Sequence, residues 1–296
     1  MRLTLRQLQI FAAVAETGST TAAGLQVALS QSATSGALNE LEALLGARLF
    51  DRVGKRLVLN DTGRALLPQA RALLDGAQGI EDQFGAGRGI ATQLRVGAST
   101  TIGNYLLPAL VASWRRGRPG AQVDVRIANT REVAAAVARL EVDLGFIEGP
   151  CHEPGVHARP WREETLAIVC APGHPLLRGD PARRVGIGAL RQAAWLLREP
   201  GSGTREAVEH ALLPHLHQLR EDLQFGGTEA IKNAAVEGLG VTCLSRFAVR
   251  DLLALGRLVE VRTALPRLAR RFYLVHHERK QFSRTLAAFL EHCARD

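Results

Sequence analysis

Two short turns rich in hydroxyl groups have residue types that could bind an anion. Ser99–Thr101 follow a predicted strand and precede a predicted helix, and Ser202–Thr204 occupy an equivalent place later in the chain. Backbone N–H groups at a helix start attract anions, and the hydroxyl groups add donors. Serine and threonine also cap many helices, and Thr228 is placed to cap a third, so each turn alone is weak support for a ligand site.

Polar residues after other predicted strands could complete such a pocket. Asn129 follows a half-buried strand and offers an amide donor. Glu148 follows the buried strand Leu144–Ile147, where a carboxylate repels an anion unless it is paired, for example with Arg205, or takes a proton from the ligand. The alternative is a surface glutamate, which is the commoner case. The candidate effector-binding residues are Ser99, Thr100, Thr101, Asn129, Glu148, Ser202, Gly203 and Thr204.

A second polar group is predicted on one face of a short, nearly uncharged helix. Leu38, Leu41 and Leu45 recur at helical spacing and predict its buried face, and Ser30 is a suitable N-cap. The opposite face carries amide and hydroxyl groups of the kind that contact base edges in the DNA major groove. These candidate DNA-binding residues are Gln31, Ser32, Ser35 and Asn39.

Basic residues follow this helix in a stretch that resembles a hairpin. Residues 47–60 alternate apolar and basic side chains, and Gly54 supplies a turn. Arg52, Lys55 and Arg56 are the candidates for phosphate contacts, with Arg48 nearby. The whole chain carries a net charge of +8, but most of it lies outside residues 1–60. The local cluster is therefore the predicted DNA footprint.

The first sixty residues resemble the winged helix-turn-helix of LysR-type transcriptional regulators. The residues that carry the resemblance are Ala23, Ser30-Gln31, Ala33, Ser35, Leu41-Glu42, Leu45-Gly46 and Leu49-Phe50-x-Arg52. Gly24 and Thr34 depart from the family pattern and are expected to weaken packing slightly. Gly36 replaces a frequent arginine and removes an expected DNA contact. The resemblance implies operator DNA as a partner.

Residues 61–91 are predicted to form a linker helix followed by a glycine-rich hinge at residues 85–89. Apolar residues recur at alternating spacings of four and three, which is typical of a helix-pairing seam. A short stripe of this kind is equally explained by a monomer core, whereas the resemblance implies dimerisation through this helix. The seam positions are Leu66, Ala70, Leu73, Ala77, Ile80 and Phe84.

From residue 92 onward, predicted strands alternate with helices, which favours an α/β fold with a largely parallel sheet and two lobes. Four segments resemble the YeiE-like and CbbR-like subgroup of LysR-type regulators: residues 98–108, 143–152, 198–206 and 229–240. The resemblance implies an effector domain of residues 92–296 with the two-lobed fold of periplasmic binding proteins (type 2). Lobe I would hold residues 92–164 and 268–296, lobe II residues 165–267, and the effector would lie between them.

Enzyme and metal sites find little support in the sequence. Gly97-Ala98-Ser99 lacks the second glycine of a nucleophile elbow, and residues 201–204 lack the end of a P-loop. The pairs His215/His217 and His276/His277 have no convincing third metal ligand nearby. We therefore expect a regulator without catalytic residues, metal or other cofactor.

Two rival functions remain open. A redox-sensing regulator would need two of the four cysteines to come together. Cys151, Cys170, Cys243 and Cys293 are far apart in sequence, and buried reduced thiols are expected. A solute-binding protein of the same fold would need a signal peptide, but the N-terminal stretch is interrupted by charged and amide residues.

The sequence therefore predicts a cytoplasmic homodimer or homotetramer that does not enter membranes. Its expected partners are operator DNA, a small anionic effector and RNA polymerase. A sulfate dianion is expected to be excluded if Glu148 is ionised and close to the ligand, since like charges repel. A protonated or singly charged oxyanion could donate its proton to Glu148, which favours a sulfite-like effector.

Overall fold

A computed structural model describes residues 3–54, 56–84, 93–118, 120–178 and 180–295. Among these, residues 3–84 and 279–288 form one compact unit, and residues 93–278 and 289–295 form a second. Lys55 and the predicted hinge at residues 85–89 lie outside the described residues. No helix in the described part of the chain is both long and apolar enough to cross a membrane.

The first unit is a helical domain with a two-stranded wing. Its elements are α1 (Leu5–Thr17), α2 (Thr20–Gln26), α3 (Gln31–Leu45), β1 (Phe50–Val53), β2 (Arg56–Leu59) and α4 (Asp61–Phe84). As predicted, the Ser30 hydroxyl caps α3 by accepting a hydrogen bond from the Ala33 N–H at 3.2 Å. Leu38 and Leu41 of α3 pack with Phe11 of α1 and Leu49 in one buried core.

Gly24 and Thr34 fit each other, so the expectation that both weaken packing is wrong. A Cβ atom on Gly24 would lie 2.7 Å from the Leu29 carbonyl oxygen and 3.0 Å from the Thr34 hydroxyl. Thr34 is fully buried, and its hydroxyl donates to the Ser30 carbonyl oxygen at 2.9 Å. The small residue on α2 therefore leaves room for a buried polar residue on α3.

The predicted seam on α4 divides into two parts. Ala70 is fully buried in the domain core, and Leu66 packs against the same core. Leu73 and Ile80, in contrast, are 53% and 62% exposed. The side chain of Phe84 lies outside the described residues. Among the seam side chains that the structure describes, Leu73 and Ile80 are thus the large apolar ones that face the exterior.

The second unit combines parallel and antiparallel strands with flanking helices, which confirms the predicted α/β fold. The expectation of a largely parallel sheet is wrong, because three of the five neighbour pairings along the main sheet are antiparallel. Its strands are β3 (Gln93–Ser99), β4 (Gln122–Ala128), β5 (Leu144–Glu148), β6 (Val156–Cys170), β7 (Arg184–Val185), β8 (Trp195–Arg198), β9 (Glu221–Phe225), β10 (Thr242–Ser245), β11 (Val259–Glu260), β12 (Arg262–Thr263) and β13 (Ala269–His277). Its helices are α5 (Thr100–Tyr105), α6 (Leu107–Arg116), α7 (Thr130–Ala138), α8 (Ile187–Gln192), α9 (Gly203–Leu216), α10 (Thr228–Val236) and α11 (Arg246–Ala254), together with residues 289–295 of α12 (Arg284–Arg295).

One long strand connects the two halves of this unit. Residues 156–165 of β6 pair with β13, and residues 166–170 pair with β10 and β11. The main sheet has the order β10-β6-β13-β5-β3-β4, with β3 parallel to β4 and β5. We call β3–β5 with α5–α7 lobe I, and β7–β12 with α8–α11 lobe II. The strands β6 and β13 cross between them.

Candidate DNA interface and effector site

The polar face predicted on α3 is exposed. Gln31, Ser32 and Asn39 are exposed, and Ser35 is half-buried. The Gln31 side-chain amide donates to the Thr20 hydroxyl at 3.2 Å, and the Ser32 hydroxyl lies 3.0 Å from that of Ser30. These groups lie at the start of α3, where the helix N-terminus favours a nearby phosphate. The face has the donors and acceptors that base edges require.

A buried carboxylate fixes the wing relative to this helix. Glu42 of α3 accepts from the Leu49 N–H and from Arg48, both at 2.8 Å. Arg48 remains mostly exposed in spite of this pair. Arg52 and Arg56, on paired strands of the wing, are also exposed and are available to phosphates.

In the second unit, Glu148 lies at the centre of a buried hydrogen-bond network. Its carboxylate accepts from the Thr101 N–H at 2.6 Å, from the Thr101 hydroxyl at 3.0 Å and from the Thr204 hydroxyl at 2.6 Å. The Arg270 guanidinium of β13 donates to the same carboxylate at 2.8 Å. Lobe I, lobe II and a crossing strand all contribute to this network.

Three expectations about Glu148 therefore need correction. It is 1% exposed, so it is not a surface residue. Its ion-pair partner is Arg270 and not Arg205, which pairs with Glu209 and Glu221 at 2.7 Å each. The donors of Thr101 and Thr204 are also directed to Glu148 and not to an open pocket.

Burial by itself raises the pKa of Glu148, but its environment reverses the effect. The charge of Arg270, followed by hydrogen bonds from Thr204 and the Thr101 N–H, holds the pKa below its usual value of 4.5. On the other side of Arg270, burial outweighs the same charge and raises the pKa of Glu164. Glu148 is therefore ionised near neutral pH.

Gly203 allows the start of α9 to pack closely against lobe I. A Cβ atom at this position would lie 1.7 Å from the Glu148 carbonyl oxygen and 2.5 Å from the Thr130 hydroxyl. The start of α9 therefore packs directly against lobe I. The Ser202 hydroxyl caps this helix through the Arg205 N–H, at a long distance of 3.5 Å. At Gly203 the close approach of lobe I leaves no space for the predicted anion.

The residue that joins the lobes beside Thr100 is one that sequence reasoning missed. The side chain of Arg198, at the end of β8, is 1% exposed. It donates to the hydroxyl groups of Thr100 at 2.8 Å and of Thr228 at 2.9 Å. Its other nitrogens pair with Glu199 at 2.7 and 2.8 Å. Glu199 in turn accepts from the Asn129 amide at 3.3 Å.

The predicted residues are thus divided between two neighbouring clusters. Thr101, Glu148 and Thr204 surround Arg270, whereas Thr100 and Asn129 belong to the Arg198 cluster. The buried Ser99 hydroxyl has no hydrogen-bond partner among the described residues, although the Glu148 carboxylate is close enough to be influenced by it. An unpaired buried hydroxyl is a costly feature that a ligand could satisfy.

A third contact between the lobes lies at the exposed side of the cleft. Tyr105 of α5 donates to Glu229 of α10, and Lys232 lies 3.1 Å from the tyrosine oxygen. Burial, followed by the hydrogen bond and charge of Glu229, raises the pKa of Tyr105. The lobes are therefore joined through Tyr105 and Glu229 as well as through Arg198.

A cavity of about 620 Å³ also lies between the lobes, but it is displaced from both clusters. Its lining includes Ser202 but neither Thr100 nor Arg198; Arg131, Cys151, His152 and Arg205 contribute to it. The buried clusters differ from this open space, because their side chains converge on Arg198 and on Glu148.

Family models match both units of the chain. Residues 5–64 match the bacterial regulatory helix-turn-helix protein of the lysR family, and residues 87–296 match the LysR substrate binding domain. The HTH-type transcriptional regulator YeiE of Escherichia coli, named as uncharacterized, is 47% identical over 293 residues, with 99% of this chain and 98% of that protein covered. The regulator CbbR of Rhodospirillum rubrum is 32% identical over 300 residues, covering 98% and 97%.

A solved structure agrees on the fold. The full-length OxyR of Pseudomonas aeruginosa has a TM-score of 0.80 at 24% identity, with 100% of this chain and 94% of that chain covered. The relatives confirm the resemblance to YeiE-like and CbbR-like proteins. They are named as transcriptional regulators and not as enzymes. The chain therefore belongs to the LysR family of DNA-binding transcriptional regulators, with a helix-turn-helix domain and an effector-binding domain.

Proposed function

We propose that this regulator binds operator DNA as a homodimer or homotetramer and changes that binding when a small anion enters the cleft between lobes I and II. The observation that carries the proposal is the buried Arg198 guanidinium, which donates to Thr100 of lobe I and to Thr228 of lobe II. A buried cation shared by two lobes can couple anion binding to the arrangement of those lobes.

The DNA-contacting surface in this proposal combines base readers and phosphate contacts. Gln31, Ser32, Ser35 and Asn39 would read base edges, because amide and hydroxyl groups match the major-groove pattern. Arg52, Lys55 and Arg56 would bind phosphates and set the register of the helix on the duplex. Operator DNA lies in the bacterial cytoplasm, so a cytoplasmic location belongs to the proposal, and RNA polymerase is a further expected partner.

Two exposed apolar surfaces support self-association. Leu73 and Ile80 project from the linker helix. In the second unit, Val125 and Ile127 are 37% and 44% exposed on β4, an edge strand of the sheet. Exposed edge strands with apolar side chains readily pair with another chain. With one self-associating surface in each unit, the chain could form dimers through one surface, and two dimers could form a tetramer through the other.

A singly charged oxyanion of the sulfite class fits the cleft better than a dianion. Arg198 and the hydroxyl groups of Ser99, Thr100 and Thr228 supply donors. The ionised Glu148 lies close to Ser99, where its charge repels a dianion. A protonated oxyanion can instead donate a hydrogen bond to it and keep its own proton, because the pKa of Glu148 is lowered. This difference favours hydrogen sulfite over sulfate.

Calorimetry with sulfite and sulfate tests this proposal. Wild type is expected to bind sulfite more tightly than sulfate. Each hydrogen bond to a charged ligand contributes roughly 1.5–3 kcal/mol, so Thr100→Ala and Thr228→Ala should each weaken sulfite binding by about 10- to 150-fold. Gln31→Ala, in the other unit, is the control and should bind normally. Glu148→Gln removes the repulsive charge, so the affinities for sulfite and sulfate should become more similar.

Either of two results would contradict the proposal. If wild type binds neither anion, the ligand class is wrong. If both threonine variants bind sulfite as tightly as wild type, the Arg198 cluster is not the site.

The redox alternative receives no support from the cysteines. Burial raises the pKa of Cys170 to about 11 and of Cys243 to about 12, and it also raises that of Cys151. A thiol must ionise to react as a nucleophile, so raised pKa values oppose sensing by these groups. The raised thiol pKa values therefore argue against a cysteine-based switch. The helix-turn-helix argues against a solute-binding role, because such a protein needs no DNA-binding domain.

A further inference from the structure

We propose that lobe II holds a second ligand site, separate from the cleft, for a small organic anion with an apolar tail. A cavity of about 650 Å³ lies between α11, β11, the second half of β6 and the segment that precedes β13. This volume falls within the range of roughly 300–1,000 Å³ that is typical of small-molecule sites.

The cavity has an apolar lining and a basic rim. Leu253, Leu258 and Leu265 supply apolar surface. Such a lining favours an aliphatic or aromatic part of a ligand, because burial removes that part from water.

The charge of the rim selects an anion. Three arginines, Arg246, Arg262 and Arg267, line the cavity, and Glu260 is the only carboxylate among the described lining residues. Arg246 pairs with Glu260 at 2.6 Å, which balances one positive charge. Arg267 donates to a neutral group, the Thr165 hydroxyl, at 2.9 Å. Two positive charges therefore remain in excess, and planar guanidinium groups match a carboxylate well.

The cavity also touches both strands that join the lobes. Thr165 and Leu166 belong to β6, and Arg267 and Leu268 immediately precede β13. The Leu166 N–H donates to the Leu268 carbonyl oxygen at 2.8 Å, so these segments are joined at the cavity wall. A ligand bound here would contact the crossing strands directly and could alter the lobe arrangement without entering the cleft.

The site can be tested independently of the cleft. None of the described lining residues belongs to the Arg198 or Glu148 clusters. The probes are hexanoate, hexylamine and acetate, titrated against the full-length protein and followed by ligand-observed NMR. Hexanoate combines the charge and the tail, whereas hexylamine reverses the charge and acetate lacks most of the tail.

Hexanoate is expected to bind, and acetate and hexylamine to bind at least about tenfold more weakly. The double variant Arg262→Ala/Arg267→Ala should weaken hexanoate binding by about tenfold or more, because two charge-assisted contacts are lost. Both residues are exposed, so folding should be preserved. Arg250→Ala, an exposed arginine on α11 outside the lining, is the matched control and should bind like wild type.

Three results would overturn the proposal: no binding of hexanoate to wild type at millimolar concentration, equal binding of hexanoate and hexylamine, or unchanged binding by the double variant. Competition distinguishes the two sites. Sulfite should not displace hexanoate, and Thr100→Ala should leave hexanoate binding unchanged. Loss of hexanoate binding in Thr100→Ala would place the probe in the cleft and contradict a second site.

Discussion

The Glu148 carboxylate and the Arg270 guanidinium form an ion pair of 2.8 Å with side chains that are only 1% and 3% exposed. The pair lies where β5 meets the crossing strand β13, and Thr204 of lobe II donates to the same carboxylate. Because the partners come from both lobes and from a strand between them, the pair fixes how the lobes meet. A ligand that pairs with the Ser99 hydroxyl would bind beside this ionised carboxylate.

Because of the ion pair, the free energy of unfolding should decrease at acid pH. The pKa of Glu148 is lowered on folding, so its stabilisation is fully present above the usual value of 4.5 and is lost as pH falls through the lower folded-state pKa. Glu148→Gln should reduce the free energy of unfolding near pH 7 by about 3–5 kcal/mol, because a buried pair loses one charge. Urea unfolding at several pH values should show this difference shrinking below pH 4.5. A difference that stays constant with pH would contradict it.

Arg52→Ala should weaken binding to all DNA sequences and reduce the salt dependence of the affinity. Arg52 is exposed on the wing. Each lost phosphate contact should reduce the slope of log affinity against log salt concentration by about 0.9 in magnitude. Lys55→Ala should behave in the same way. Fluorescence anisotropy over a range of salt concentrations measures both effects. An unchanged slope would exclude the wing from phosphate contact.

Gln31→Ala should change the base preference, since a glutamine amide can pair with adenine in the major groove. The salt dependence of the affinity should stay unchanged, because no phosphate contact is lost. Selection from randomised DNA sites compares the variant with wild type. Identical preferred sites would show that Gln31 reads no base.

Leu73→Glu combined with Ile80→Glu should abolish dimerisation through the linker helix. Both side chains are more than half exposed on α4, and four like charges at a paired seam would repel each other. Sedimentation measures the loss of dimer, and tight operator binding should be lost with it. Gln69→Glu, an exposed position on the same helix, is the control. A double variant with wild-type sedimentation would leave dimerisation to another surface.

Gly24→Ala should destabilise the first unit by about 1–3 kcal/mol. The added methyl group would approach the Leu29 carbonyl oxygen to 2.7 Å, and a backbone atom cannot move aside cheaply. Gly36→Ala is a matched control because its added Cβ meets nothing within 4 Å, and it should stabilise α3 by about 0.5–1 kcal/mol. Equal effects of the two variants on thermal unfolding would argue against the close approach.

Local sequence signals predicted the elements but not the partners of the site. The position of Glu148 after a strand followed from a buried apolar run, whereas Arg270 lies 122 residues away and no local pattern links the two. The first half of β6 has no apolar pattern that predicts a strand, because residues 156–165 include several charged side chains. Alternation along β13 places Arg270 on the same buried face as Phe272 and Leu274, and this was the available signal for a buried ion pair.

The central proposal is that an anion held at Arg198 controls DNA binding. The most direct test titrates sulfite into complexes of wild type with a DNA site selected in vitro, and measures the affinity for that DNA. Coupling between two sites is reciprocal and typically changes affinity by about 5- to 150-fold. We expect a change in this range for wild type and almost none for Thr100→Ala and Thr228→Ala. An affinity of wild type for DNA that does not change with sulfite, or an equal change in both threonine variants, would contradict the proposal.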